Sequence, residues 1–175
     1  MSEKDTAAAL PSGADPQNTL ILDTTPGRIV IKLRTDVAPG HAERLKQLAR
    51  DGFYDDVPFH RVIEGFMAQT GDGQHGNGTG GSSYPDLKAE FSQVPFARGV
   101  VGMARKGGNN HSANSQFFIM FEEGSFLNGQ YTVIGEVIAG MDVVDKLKRG
   151  EPPANPDRIV RMQVAADVEK EKGKS

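Results

Sequence analysis

At 175 residues the chain has the size of one domain, and 37% hydrophobic residues beside 21 glycines is a folded protein's content, which excludes disorder of the whole chain. A net charge of −3 leaves no basic footprint for nucleic acid, and the lack of cysteine excludes disulfides, thiol catalysis and cysteine-ligated zinc. No apolar run reaches the roughly 18 residues of a membrane-crossing helix.

Residues 1–17 read as a loose, solvated leader. Its Ala7, Ala8, Ala9 and Leu10 are broken off by Pro11 and fall short of the about 7–15 apolar residues of a secretory signal, so a cytoplasmic location is expected. The domain itself is predicted over 18–168. Leu20, Ile21 and Leu22, then Ile29, Val30, Ile31 and Leu33, form two strand-like runs around the turn signal Thr25, Pro26, Gly27. Ala38, Ala42, Leu45, Leu48 and Ala49 share one face of a 3.6-residue period. They predict a helix with Pro39 near its start and Gly52 after its end. Further strands are predicted within 59–69, 117–121, 131–138 and 159–164. The last alternates, with Val160, Met162 and Val164 on one face and Arg161 and Gln163 on the other. A second helix is predicted from an Asp142 cap through Leu147, stopped by Gly150, Pro152 and Pro153. Residues 169–175 read as a frayed, charged tail. Many short strands with two helices point to a mainly β barrel or sandwich closed at its ends by helices.

Glycine concentrates in 71–81, GDGQHGNGTGG, which matches the dinucleotide fingerprint G-x-G-x-x-G from Gly71 and again from Gly76. A strand precedes it, and Glu90 sits near the spacing of a ribose-binding acid. The helix that must hold the pyrophosphate is missing, since Ser82, Ser83, Tyr84 and Pro85 follow without a helical period. The stretch is therefore predicted to be a flexible turn system that uses positive φ. His41, His60, His75 and His111 lack metal-ligand spacing, and no G-x-S-x-G elbow is present. Neither a metal nor a cofactor is predicted.

The most specific segments are 59–72, FHRVIEGFMAQTGD, and 114–119, NSQFFI. Together they closely resemble the signature of the cyclophilin-type peptidyl-prolyl cis–trans isomerases, and in loop lengths the chain is more similar to bacterial members. The similarity runs from about Thr19 to Val164 and includes the turn of Phe126, Leu127, Asn128 and Gly129. The resemblance implies a closed eight-stranded antiparallel barrel capped by two α-helices, with a peptide groove on its outer face. Carried over by motif position, the catalytic set is Arg61, Phe66 and Gln69. Substrate contacts fall on Met67, Ala104, Arg105 and Gln116, and on Phe118, Phe126, Leu127 and Tyr131.

The partners implied are proline-containing peptides and unfolded proteins, handled by a monomer without nucleic acid or membrane. The alternative is a non-catalytic proline-peptide binding or chaperone module using the same groove. Animal members commonly carry Trp at the position of Phe126, where the indole N–H helps to bind cyclosporin. Cyclosporin-like cyclic peptides are accordingly expected to bind weakly here. Tyr131 stands where His is frequent, which alters the groove wall. Among neighbours of opposite strand facing, Phe118 is assigned to the groove and Phe117 to the core, and the assignment rests on the resemblance. Arg105 also reads simply as a solvated rim charge, and His60 as a structural or partly buried histidine rather than an acid–base residue.

Overall fold

The structure, a computed structural model, describes residues 13–168; the tail at 169–175 and most of the leader lie outside them. Strands β1 (Thr19–Thr24) and β2 (Arg28–Leu33) form the hairpin announced by Pro26 and Gly27, with Thr24 and Gly27 exchanging backbone hydrogen bonds across the turn. Helix α1 (Pro39–Arg50) buries Ala42, Leu45, Leu48 and Ala49, the face its period predicts. Ala38 offers no capping side chain, and the Glu90 carboxylate accepts the N–H groups of Gly40 (3.2 Å) and His41 (2.9 Å) instead. The acid at ribose-binding distance is thus a helix cap that satisfies orphan donors and complements the helix dipole. At the other end Gly52 takes φ 73, and the Gly52 and Phe53 amides return to the carbonyls of Ala49 and Leu48. That is a Schellman ending, for which glycine is the natural residue.

Strands β3 (Val57–Pro58), β4 (Arg61–Ile63), β5 (Met67–Thr70), β6 (Val100–Met103), β7 (Phe117–Met120), β8 (Val133–Ala139) and β9 (Arg158–Val164) complete one antiparallel sheet. Its order is β3-β9-β1-β2-β8-β6-β7-β5-β4. The edges β3 and β4 are separated along the chain only by Phe59 and His60, so the sheet curls back on itself. The predicted closed barrel has eight strands; the described residues contain nine because one run is interrupted between β3 and β4. There the Phe59 amide bonds to the Asp157 carbonyl, and Val62 makes an isolated bridge to Gly150. No β3–β4 ladder joins these edges, so the sheet is a curled nine-stranded one and not the closed eight-stranded barrel expected.

Other elements depart from expectation in detail. Helix α2 (Met141–Val144) starts from Gly140 at φ 91, with Asp142 inside its first turn and not at the cap. A further helical turn occupies 165–168. In β9 the alternation fails: Ile159 is buried while Val160 is 54% exposed. The ladder to β1 slips there, pairing Asp23 with Arg161 but Thr24 with Ile159, and the extra residue of this bulge points outward. No helix among the described residues is long and apolar enough to cross a membrane.

Strand alternation separates two apolar clusters. Phe117 and Ile119 of β7 enter the interior with Tyr54, Phe59, Ile134 and Met162. Phe118 and Met120 face the other way and join Met67, Phe96, Leu127 and Val133. This second cluster is the floor on which the site is built.

Candidate active site

Arg61 opens β4 and stands opposite Gln69 on β5, and Gln69 in turn stands opposite Phe118 on β7. Residues paired in this way project from the same face, so three strands deliver one polar and apolar set to the outer surface. The Arg61 Nη1 donates to Gln69 Oε1 at 3.2 Å, and its Nε donates to Glu151 Oε1 at 3.2 Å. Its Nη2 has no acceptor among the described residues. The side chain is 43% exposed, so a free N–H stays open to a ligand. Gln69 Nε2 donates to Gln116 Oε1 at 2.9 Å, and Gln116 Nε2 donates to the carbonyls of Gly78 (3.0 Å) and Gly80 (2.8 Å).

Beside this polar line lies a cavity of about 320 Å³, walled by Phe66, Met67, Phe118, Leu127 and Tyr131 and reached by Arg61. Phe118 is held on three sides. Its ring stacks on Phe96 at 5.8 Å, meets the Tyr131 edge at 5.8 Å, and lies over Gly102, its ladder partner on β6. A Cβ at Gly102 would come within 2.6 Å of both Phe rings, so the missing side chain there makes the seat for Phe118. The Arg105 guanidinium packs 4.4 Å from the Tyr131 ring centre and bonds to the Gln130 carbonyl, which holds this half-exposed charge at the rim of the wall.

Two residues of the predicted set sit outside this cavity. Gln116 lines an adjoining cavity of about 340 Å³ that shares Gln69, Gly78, Ala104 and Arg105. Phe126 stands on the lip, 69% exposed, with its ring 5.5 Å from Phe66. Sequence reasoning missed His60, Asn77 and Gly78, which also line the main cavity. Burial pushes the His60 pKa down, with Asp72 opposing and Arg61 adding to the shift, so the imidazole is neutral near pH 7.

The glycine-rich stretch enters the site through its backbone. Asp72 is 1% exposed, and five backbone amides converge on its carboxylate: Gln74 and His75 on Oδ1, Asn77, Gly78 and Gly80 on Oδ2. Burial pushes its pKa up, but the amides of His75, Gly80, Asn77 and Gly78 outweigh that and hold it at about 2. The expected flexible turn system is therefore wound around a buried anion.

Among solved structures, a cyclophilin from Hirschia baltica superposes with a TM-score of 0.81 at 29% identity, covering 88% of this chain and 76% of that one. A Cryptosporidium parvum cyclophilin-type peptidyl-prolyl cis–trans isomerase, crystallised in the presence of the dipeptide Ala-Pro, superposes with a TM-score of 0.77 at 25% identity, covering 83% and 98%. A probable peptidyl-prolyl cis–trans isomerase of Brucella suis is 55% identical over 172 residues, spanning 90% of this chain and 87% of that protein. The family described as "Cyclophilin type peptidyl-prolyl cis-trans isomerase/CLD" matches residues 19–164. With that match running from β1 to the end of β9, the chain belongs to the cyclophilin-type peptidyl-prolyl cis–trans isomerases.

Proposed function

We propose that the groove on strands β4, β5 and β7 isomerises X-Pro peptide bonds, with Arg61 as the hydrogen-bond donor to the prolyl nitrogen. The observation that carries this reading is the Arg61 guanidinium itself. It is held at Nη1 by Gln69 and at Nε by Glu151, and it keeps an unpaired N–H beside an apolar cavity.

An X-Pro bond turns slowly because amide resonance gives its C–N bond double-bond character, with a barrier of about 18–20 kcal/mol. When the bond is twisted, resonance is lost and the prolyl nitrogen regains a localised lone pair. A donor aimed at that lone pair stabilises the twisted amide and leaves the planar one largely unaffected, which is the condition for catalysis. The always-charged, planar guanidinium suits the task. Phe66, Met67, Phe118 and Leu127 supply a seat for the pyrrolidine ring, and Phe96, Tyr131 and Gly102 keep Phe118 from moving away. No covalent bond forms or breaks, so no nucleophile, acid or metal is called for.

Magnitudes apportion the work. Shortening isomerisation from roughly 100 s to roughly 1 ms takes about 7 kcal/mol at 1.36 per decade. A charge-assisted hydrogen bond contributes about 1.5–3 kcal/mol net. Arg61 is then the largest single group but not the whole. The remainder falls to a groove that fits the twisted amide better than the planar one and sheds water from it.

Proline-containing peptides are the substrate class, in keeping with the dipeptide used with the Cryptosporidium relative. Unfolded proteins presenting such segments are the physiological form we assign. A rival reading, a binder without turnover, uses the same groove and differs in whether the bound X-Pro bond rotates. NMR exchange on an X-Pro tetrapeptide separates the two. Broadening of the separate cis and trans resonances by substoichiometric protein supports the isomerase, and unbroadened resonances with measurable binding support the binder.

A further inference from the structure

The hydrogen bonds between Arg61 and the glycine-rich loop all run one way. Arg61 donates to Gln69, Gln69 to Gln116, and Gln116 to the carbonyls of Gly78 and Gly80. The same two glycines then donate their own amides to Asp72 Oδ2, each at 2.9 Å. We propose that Asp72 is a positioning residue for isomerisation: its buried carboxylate sets the loop carbonyls that orient both glutamine amides and thereby aim Arg61.

A primary amide can sit either way round, presenting an acceptor on one side and a donor on the other. With its Nε2 committed to two loop carbonyls, Gln116 can offer only Oε1 to Gln69. Gln69 must then donate Nε2 to it and show Oε1 to Arg61. Were Gln69 reversed, its NH2 would face the guanidinium and push it from its place; were Gln116 reversed, its NH2 would meet that of Gln69 and force the same reversal there. The orientation of both side chains thus depends on where the Gly78 and Gly80 carbonyls lie, and these depend on the anion beneath.

The loop is built for this closeness. A Cβ at Gly80 would run into Asp72 Oδ1, and one at Gly78 would come within 3.0 Å of His60 Nε2. Gly78 also holds φ 97, which side chains disfavour. No Lys or Arg pairs with Asp72 among the described residues, so the carboxylate is satisfied by amides alone. A buried charge left unpaired is costly, and the charge-assisted bonds that relieve it are short and directional, which fits a fixed support for the site.

The inference rests on the catalytic reading of Arg61, and a double-mutant cycle separates the two. Asp72→Asn, Gln116→Ala and their double variant are assayed for kcat/KM on an X-Pro tetrapeptide and for Tm, with Arg61→Ala as a control. Asp72→Asn is expected to lower kcat/KM about tenfold, mainly through kcat, and to lower it no further once Gln116 is Ala. The double variant is still expected to melt below Gln116→Ala alone, because the buried carboxylate supports the amides of Gln74, His75 and Asn77 as well. Activity losses that multiply in the double variant, or that only follow Tm, would overturn the role of Asp72. Unchanged activity in Arg61→Ala would overturn the catalytic reading itself. If Asp72→Asn does not fold, Gly80→Ala replaces it in the cycle, since it crowds the loop off the carboxylate while leaving Asp72 in place. The same loss of effect in the Gln116→Ala background is expected, and multiplying losses again contradict the proposal.

Discussion

Arg61 and Gln69 face each other across the β4–β5 ladder, and Gln69 Oε1 accepts the Arg61 Nη1 bond at 3.2 Å. The pair is half-buried, so its hydrogen bond works mainly by restraint of the guanidinium and adds little to folding. Gln69→Ala should therefore lower kcat/KM about tenfold, the value of one such bond, while Tm moves by no more than about 2 °C. A protease-coupled tetrapeptide assay alongside a thermal melt reads both quantities. A large Tm loss with unaltered turnover would assign Gln69 to stability instead.

Neighbouring residues on β7 provide a contrast. Phe117 lies in the interior against Tyr54, and Phe118 lies in the groove floor against Phe96 and Tyr131. Replacing either ring by Leu should destabilise the fold by about 1–3 kcal/mol, since both rings are buried and closely packed. Only Phe118→Leu should also weaken tetrapeptide binding, by several-fold. Chemical denaturation and peptide titration of the two variants distinguish the faces, and equal binding losses would contradict the division.

Phe126 rests on Phe66 with most of its surface in solvent and offers no hydrogen-bond donor. Phe126→Trp adds an indole N–H at the groove lip. It is expected to tighten cyclosporin binding about tenfold, with tetrapeptide turnover changed less than about twofold. Calorimetric titration of both proteins measures the first quantity, and no gain in affinity would show that the lip does not limit it.

The carboxylate of Asp72 is held at about 2 against an ordinary value of 3.8. A carboxylate depressed on folding contributes stability that is complete above its unfolded pKa and is lost as pH falls through the folded value. The stability gap between wild type and Asp72→Asn should thus be about 2 kcal/mol or more at pH 7 and shrink between about pH 4 and pH 2. Urea unfolding across that range checks it. A gap that holds constant down to pH 2 would mean the charge is not its source.

Much of the scaffold was legible because it obeys simple periods. The face of α1, the β1–β2 turn and the groove motif around Arg61 lie in contiguous sequence. What escaped depends on contacts that sequence spacing does not encode. Strand β6 carries Gly102 where an alternating pattern needs a side chain, and the gap is filled by Phe118 from the next strand. In β9 one inserted residue reverses the facing of Val160. The glycine-rich loop gave a fingerprint without its helix, and nothing in its spacing announces that Asp72 gathers amides as far along as Gly80. Of the predicted site, nearly all of the set converges on one cavity, and Gln116 and Phe126 stand at its margins.

In the proposed mechanism Arg61 acts on the twisted amide more than on the bound planar peptide. Its most direct test is NMR exchange on a single X-Pro tetrapeptide with wild type, Arg61→Ala and Arg61→Lys, reading the enzyme-bound isomerisation rate and Kd separately. The bound rate is expected to fall about a hundredfold in Arg61→Ala and to recover in part in Arg61→Lys, with Kd within about threefold throughout. An unchanged bound rate in Arg61→Ala, or a loss confined to Kd, would contradict it.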